Sequence, residues 1–169
     1  RYVKQGECTA DTDILRRRFF PIDFDAVRPA GISSTDEEHG AAILRATECR
    51  QGLMQRGWPA PILADSGNGG HLLFRVDLPN DEASTRLLKE CLKGLGDEFD
   101  DDHVTVDPST FNASRVWKVY GTEVCKGDPM PDRPHRVASI IEAPDRLEVM
   151  PLELLQVLAA AAPKPREAD

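Results

Sequence analysis

Positive charge and aromatic surface are both scarce in this sequence. Across 169 residues, 21 Lys and Arg stand against 29 Asp and Glu, a formal net charge of −8. That balance excludes a uniformly basic nucleic-acid coat and lowers the affinity expected for a polyanion bound without help. Aromatic residues make up 6% of the chain, too few for the interleaved basic and aromatic pattern of single-strand binders. Long apolar runs are missing as well: VLAAAAP, near the C-terminus, is too short to cross a bilayer. The opening RYVKQGECTADTD has neither a signal-peptide apolar segment nor an initiator Met, as expected of a domain excised from a longer chain. Cysteine is sparse too. Cys8, Cys49, Cys91 and Cys125 lie far apart with no C-x-x-C, which argues against a structural zinc site. Cys49 and Cys91 fall inside helical patterns and read as buried thiols, and the setting expected is reducing and cytoplasmic.

What is present suffices for one domain. At 40% hydrophobic and 30% charged, the length allows a single core over residues 1–162, with PKPREAD (163–169) as a tail or linker. The apolar run RFFPIDFD predicts a strand over 18–25. Thr35 and Glu38 form a capping box that opens a helix ending near Arg56, with Gly57 as its stop. PILAD (61–65) and HLLFRVD (71–77) read as a hairpin about an SGNGG turn. Asn80 is the expected cap of a second helix carrying Leu87, Leu88, Cys91, Leu92 and Leu95, and HVTVD (103–107) is a further strand. RVWKVYGT is a strand or a short helix. RVASIIE and LEVM suggest edge strands, and PLELLQVLAAAA a final helix. The fold class expected is α+β, with a β-α-β-β-α-β core of the RRM-like or ferredoxin-like kind and additional C-terminal strands and a helix. In its usual order the first strand lies between the third and fourth. Asp23 and Asp25 would then sit beside the strand ending in Asp107.

Asp23 and Asp25 pose the main question. Two apart on a strand, they share one face, and neighbouring carboxylates disfavour each other's ionisation unless something positive sits against them. Arg28, water or a metal would serve. With Asp107, which closes VTVD, the pair supplies the hard oxygen donors that Mg²⁺ or Mn²⁺ prefers; a bland reading makes them a solvated strand end and an Asx turn before proline. In SGNGGH, Gly67, Gly69 and Gly70 allow a backbone cradle for an anion, with Ser66 and His71 as further donors; no G-K-[ST] follows, so this is not a Walker loop, and a plain hairpin turn is the alternative. Arg115 and Lys118 would share a face only on a helix. The triplet Asp100–Asp102 reads as a solvated loop. Trp58 and Trp117 read as core or half-buried residues before base-stacking platforms.

The order of these elements is more specific than any one of them. PIDFD, then SGNGGH, then VTVD, then N-x-x-R-x-x-K-x-Y-G-T resembles the catalytic core of the archaeo-eukaryotic primase superfamily, and most closely its bacterial, plasmid and phage bifunctional primase-polymerase domains. The resemblance runs from about residue 11 to 150. It implies that Asp23, Asp25 and Asp107 hold two divalent metals, Mg²⁺ or Mn²⁺. His71, with Ser66 and the backbone of Gly67, Asn68, Gly69 and Gly70, would bind the incoming nucleotide's triphosphate; Arg115 and Lys118 would contact phosphate. Lys126, Arg133 and Arg136 are further candidates. The departure is the extended S-G-N-G-G-H spacing where the family has S-x-H; related sequences also begin earlier than Arg1.

The implied function is a template-dependent nucleotidyltransferase, a DNA primase and polymerase adding NTPs or dNTPs to a primer 3′-hydroxyl on single-stranded DNA. The acidic net charge leads to the expectation of a linked or separate helicase, in a cytoplasmic bacterial, plasmid or phage context and away from any membrane. Two alternatives stay open: a non-catalytic nucleotide- or DNA-binding module of a replication-initiation or defence protein, and a metal-dependent nuclease using the same carboxylates.

Overall fold

In a computed structural model of the chain, residues 8–162 are described; the predicted tail at 163–169 lies outside them. A short 3-10 turn, Asp11–Asp13, precedes strand β1, Arg16–Ala26. Then follow α1 (Asp36–Gln55), β2 (Ile62–Asp65), β3 (Gly69–Pro79), α2 (Glu82–Phe99) and β4 (Val104–Val106). The C-terminal part adds β5 (Glu123–Val124), β6 (Arg136–Val137), β7 (Ser139–Glu142) and α3 (Leu152–Ala161). Five strands form one antiparallel sheet in the order β4-β1-β3-β2-β7, so β1 lies between β3 and β4 as expected; β5 and β6 pair separately.

Local chemistry explains the helix ends. Thr35 Oγ1 accepts the Glu38 N–H at 3.2 Å while the Glu38 carboxylate accepts the Thr35 N–H at 2.9 Å, the reciprocal arrangement that satisfies two orphan donors. Gly57, at φ +86°, follows the last turn of α1 in a conformation other residues resist. Asp81, not Asn80, caps α2: its carboxylate accepts the Ser84 N–H at 2.7 Å. Asn80 instead donates to the carbonyls of Asp11 and Ile14. RVWKVYGT is neither strand nor helix, and LEVM forms no strand.

The core lies on one side of the sheet. Phe20, Ile22 and Phe24 of β1 and Leu72, Phe74 and Val76 of β3 pack against Ala42, Ala46, Cys49 and Leu53 of α1 and Leu88, Leu92 and Leu95 of α2. A register shift between Arg17 and Phe19 sets which residues of β1 face inward; such bulges change the side-chain alternation. α3 packs on α2, where the Cys91 thiol reaches the Leu155 carbonyl at 3.2 Å. Burial raises both core thiols, that of Cys91 to about 12, so neither is reactive at neutral pH. With α1 and α2 on one face, the odd-numbered residues of β1, Phe19 to Asp25, lie on the other.

Candidate active site on the helix-free face

The register of three strands builds one row of functional groups. In the β1–β3 ladder Asp23 stands opposite His71, and in the β1–β4 ladder Phe24 stands opposite Val106. The Asp107 N–H then donates to the Asp23 carbonyl at 2.8 Å, continuing the row. Directly opposed residues in antiparallel strands share a face, so His71, Asp23 and Asp107 form a single rung. Asp25 occupies the next same-face position, opposite Gly69 and Thr105.

Two glycines let β3 come this close. A Cβ on Gly69 would lie 2.1 Å from the Phe24 carbonyl oxygen, and one on Gly70 would lie 2.6 Å from the Ala46 Cβ on α1. Both belong to strand β3, so the turn is tighter than SGNGG suggested: Ser66 and Gly69 close it through a 2.9 Å backbone bond, with Gly67 at φ +87°. A positive φ at the first loop position is the type II′ signature. The turn's own N–H groups are engaged internally. Gly67 donates to the Asp65 carboxylate at 2.5 Å and Asn68 to Ser66 Oγ at 3.3 Å. The Asn68 side-chain oxygen accepts from the Ser34 N–H at 2.8 Å. Ser66 and Asn68 are buried, and both line the cleft.

The cleft is about 330 Å³ and is lined by Asp23, Asp25, Arg28, His71, Lys118 and Lys126, among others. Inside it, Asp23 Oδ1 is buried with no hydrogen-bond partner. It lies 3.3 Å from His71 Nε2, within ion-pair distance but outside hydrogen-bond geometry. An orphaned buried carboxylate oxygen is costly unless a cation or donor arrives. Burial, and next the charge of Asp23, hold the Asp25 carboxyl above its ordinary value, against the pull of Arg28 and Lys126. Arg28 sits 3.3 Å from Asp25, so one positive partner anticipated for the pair is an arginine.

Asp107 is turned elsewhere. Its Oδ1 accepts from the Ser109 N–H and hydroxyl at 2.8 and 2.6 Å, and its Oδ2 pairs with Arg115 at 2.6 Å. Among the described residues no group of three or more His, Cys, Asp or Glu converges on a metal position. A divalent cation in this cleft would take Asp23 and Asp25 as its carboxylate donors, Asp25 giving up Arg28, whereas Asp107 would have to exchange Arg115 and Ser109 for it.

Arg115 and Lys118 line different cavities. Lys118 faces the acidic cleft, and Arg115 lines a groove of about 430 Å³ with Arg16, Arg18, Phe19, Pro21 and Trp117. Arg133 and Arg136 act as clamps. Arg133 grips both Glu38 oxygens at 2.7 and 2.9 Å, and Arg136 binds the Ser34 carbonyl and Asp36 at 2.9 and 2.6 Å. They tie the β5–β6 segment, one wall of the cleft, to the start of α1. Arg133, before burial is counted against it, holds the Glu38 carboxyl below its ordinary value.

Sequence reasoning missed Tyr120, His39 and Asp65. Tyr120 bonds His71 Nδ1 at 2.9 Å, and Trp117 lies over the His71 ring at 4.3 Å between centroids. His39 Nε2 meets Asp65 at 2.9 Å, holding the carboxylate that closes the 66–69 turn. The Y-G-T of the motif order was the only sequence sign of Tyr120; long-range pairs such as His39–Asp65 leave no local signal. The triplet Asp100–Asp102 is partly structural: Asp100 accepts the Val106 N–H and Asp101 those of His103 and Val104. Trp58 is core, edge-on to Phe74.

Comparison with protein-family models, curated proteins and solved structures found no match to this chain. No helix among the described residues is long and apolar enough to cross a membrane.

The Asp25 environment carries a stability prediction. A carboxyl whose folded-state value is raised binds its proton more tightly in the native state, so unfolding free energy falls as pH climbs from the ordinary carboxylate value through the raised one. Asp25→Asn removes that loss while keeping an oxygen for Arg28. For a half-exposed side chain the gain is about 0.5 kcal/mol, or a melting temperature roughly 1–2 °C higher at neutral pH. Thermal melts of metal-free protein across the acid range check this, and the advantage should vanish below the carboxylate range.

Proposed function

We propose that the chain is a template-dependent nucleotidyltransferase of the primase-polymerase type, which adds nucleotides to a 3′-hydroxyl on a single-stranded DNA template. The observation that carries the reading is the buried, unpartnered Asp23 Oδ1 on a rung between His71 and Asp107. The strand order β4-β1-β3-β2, with α1 and α2 on one face, supports an RRM-like core whose other face is left for ligand.

In this reading the primer hydroxyl loses its proton to solvent and attacks the α-phosphate, forming a P–O bond as the α–β P–O bond breaks and pyrophosphate leaves with its electrons. Bound Mg²⁺ or Mn²⁺ would supply Lewis-acid charge to the attacking and leaving oxygens. Asp23 and Asp25 would hold it, joined by Asp107 once Arg115 turns to phosphate. His71 would donate to the triphosphate, while Lys118 and Lys126 balance its charge from the cleft wall. Arg16, Arg18 and Arg115, lining one groove with Phe19, Pro21 and Trp117, suit the phosphates and bases of a single strand. Arg16 and Arg18 already share Asp77, and the net charge is −8, so template affinity is weak and a linked or separate helicase would supply the strand.

The engagement of Asp107 by Arg115 and Ser109 favours a second reading, a nucleotide- or DNA-binding module without catalysis. A labelled primer annealed to a longer template, incubated with Mn²⁺ and either dNTPs or NTPs, separates the possibilities. Longer products support the polymerase. Shortened primer identifies a nuclease, and unchanged primer with nucleotide bound identifies the binding module.

A further inference from the structure

His71 Nε2 lies on the Asp23 side, and its other nitrogen is held by a chain of two residues. Trp117 Nε1 approaches the Tyr120 hydroxyl at 3.1 Å, and that hydroxyl lies 2.9 Å from His71 Nδ1. An indole N–H only donates, so the Tyr120 oxygen must accept from Trp117. Tyr120 has one proton of its own, and among the described residues its hydroxyl bonds to these two groups alone. Were Nδ1 protonated, the Tyr120 oxygen would receive two N–H donors and its own proton would have no acceptor among the described residues. The arrangement in which every group is satisfied runs one way: Trp117 donates to Tyr120, and Tyr120 donates to Nδ1. In neutral imidazole the remaining proton is then on Nε2.

That proton is available. Nε2 is 3.3 Å from Asp23 Oδ1 without hydrogen-bond geometry, and Oδ1 has no partner. The ring cannot easily turn away, since His71 is buried and packed beneath Trp117. We infer that Trp117 and Tyr120 are positioning residues that fix the His71 tautomer, so that Nε2–H is held as a donor for an anionic phosphate oxygen entering the cleft. Partners that orient a histidine through its far nitrogen serve the same purpose in metal sites. The phosphate as ligand rests on the function proposed above; the tautomer does not.

The test is ¹⁵N NMR of histidine-labelled protein, metal-free, at a pH where imidazoles are neutral. The native protein should show His71 with Nε2 protonated and Nδ1 bare. Tyr120→Phe, which deletes only the hydroxyl, should give a mixture of tautomers. A proton on Nδ1 in the native protein overturns the assignment, as does an unchanged tautomer in folded Tyr120→Phe; the native measurement decides even if the variant fails to fold. Titration with inorganic tripolyphosphate tests the anion. It should shift the Nε2 resonance of the native protein and bind Tyr120→Phe about 5- to 10-fold more weakly, as one hydrogen bond's worth of positioning predicts. Equal affinity, or no response at Nε2, overturns the role as an anion donor. No catalysis enters this experiment, so the expected tautomer in a protein that incorporates no nucleotide would reject the proposed function and leave the positioning intact.

Discussion

Alanine at position 69 is expected to be the most damaging single methyl group in this fold. Its Cβ would sit 2.1 Å from the Phe24 carbonyl oxygen, a backbone atom of the neighbouring strand. β1 and β3 are both interior strands, paired from Arg16–Pro79 to Asp25–Gly69, so neither can shift without breaking the ladder. Overpacking against a yielding side chain costs about 1–3 kcal/mol; here the clash is with backbone, and the loss should reach or exceed the top of that range. At roughly 2–4 °C per kcal/mol for a chain of this size, the melting temperature should fall by about 6–12 °C. Gly70→Ala, which meets the Ala46 Cβ at 2.6 Å and the Ala42 carbonyl at 2.9 Å, should cost somewhat less, because α1 can move. Gly40→Ala is the control: Gly40 lies in α1 with open space around it, and alanine there should stabilise by about 0.5–1 kcal/mol. Thermal melts of the three variants check the ranking. The glycines serve the site indirectly, by bringing His71 level with Asp23.

Asp23→Asn should separate chemistry from stability. The substitution keeps the shape of the side chain and removes the charge beside His71 and Asp25. If Asp23 is the central cation ligand, nucleotide addition should drop by about 10³-fold or more, since the electrostatic contribution to catalysis is its largest single part. The metal-free fold should be no less stable than the native one, because the Asp23 charge is one of the causes that hold Asp25 above its ordinary value. Native-like far-UV circular dichroism and an unchanged or higher melting temperature, together with lost activity, are the expected pair of results. Functional residues commonly carry such a stability cost.

The elements that could be read from the sequence were those with local causes. The α1 capping box, the Gly57 stop and the alternation of β1 are set by a few adjacent residues, and so were visible. The shared face of Asp23 and Asp25 followed from strand periodicity alone, and the place of β1 between β3 and β4 from element order. The cap of α2 was misplaced by one residue because Asn80 and Asp81 are both good caps, and only the tertiary bonds of Asn80 to Asp11 and Ile14 decide between them. Gly69 and Gly70 looked like turn residues, because lack of a side chain suits a close strand approach as well as a turn. RVWKVYGT carries no clean period, since its residues are placed by contacts with His71 and Asp107 from distant strands. The same non-local origin hid the Tyr120–His71 bond, the His39–Asp65 pair and the Arg133 and Arg136 clamps.

Whether the template base dictates which nucleotide is added is decided by single-nucleotide incorporation. Four primer–templates differing only in the first unpaired template base would each be offered all four nucleotides singly with Mn²⁺. Template-directed addition predicts that the native protein adds the complementary nucleotide on each template and that Asp23→Asn adds none. Primer that is never extended, extension indifferent to the template base, or incorporation that survives Asp23→Asn would contradict it.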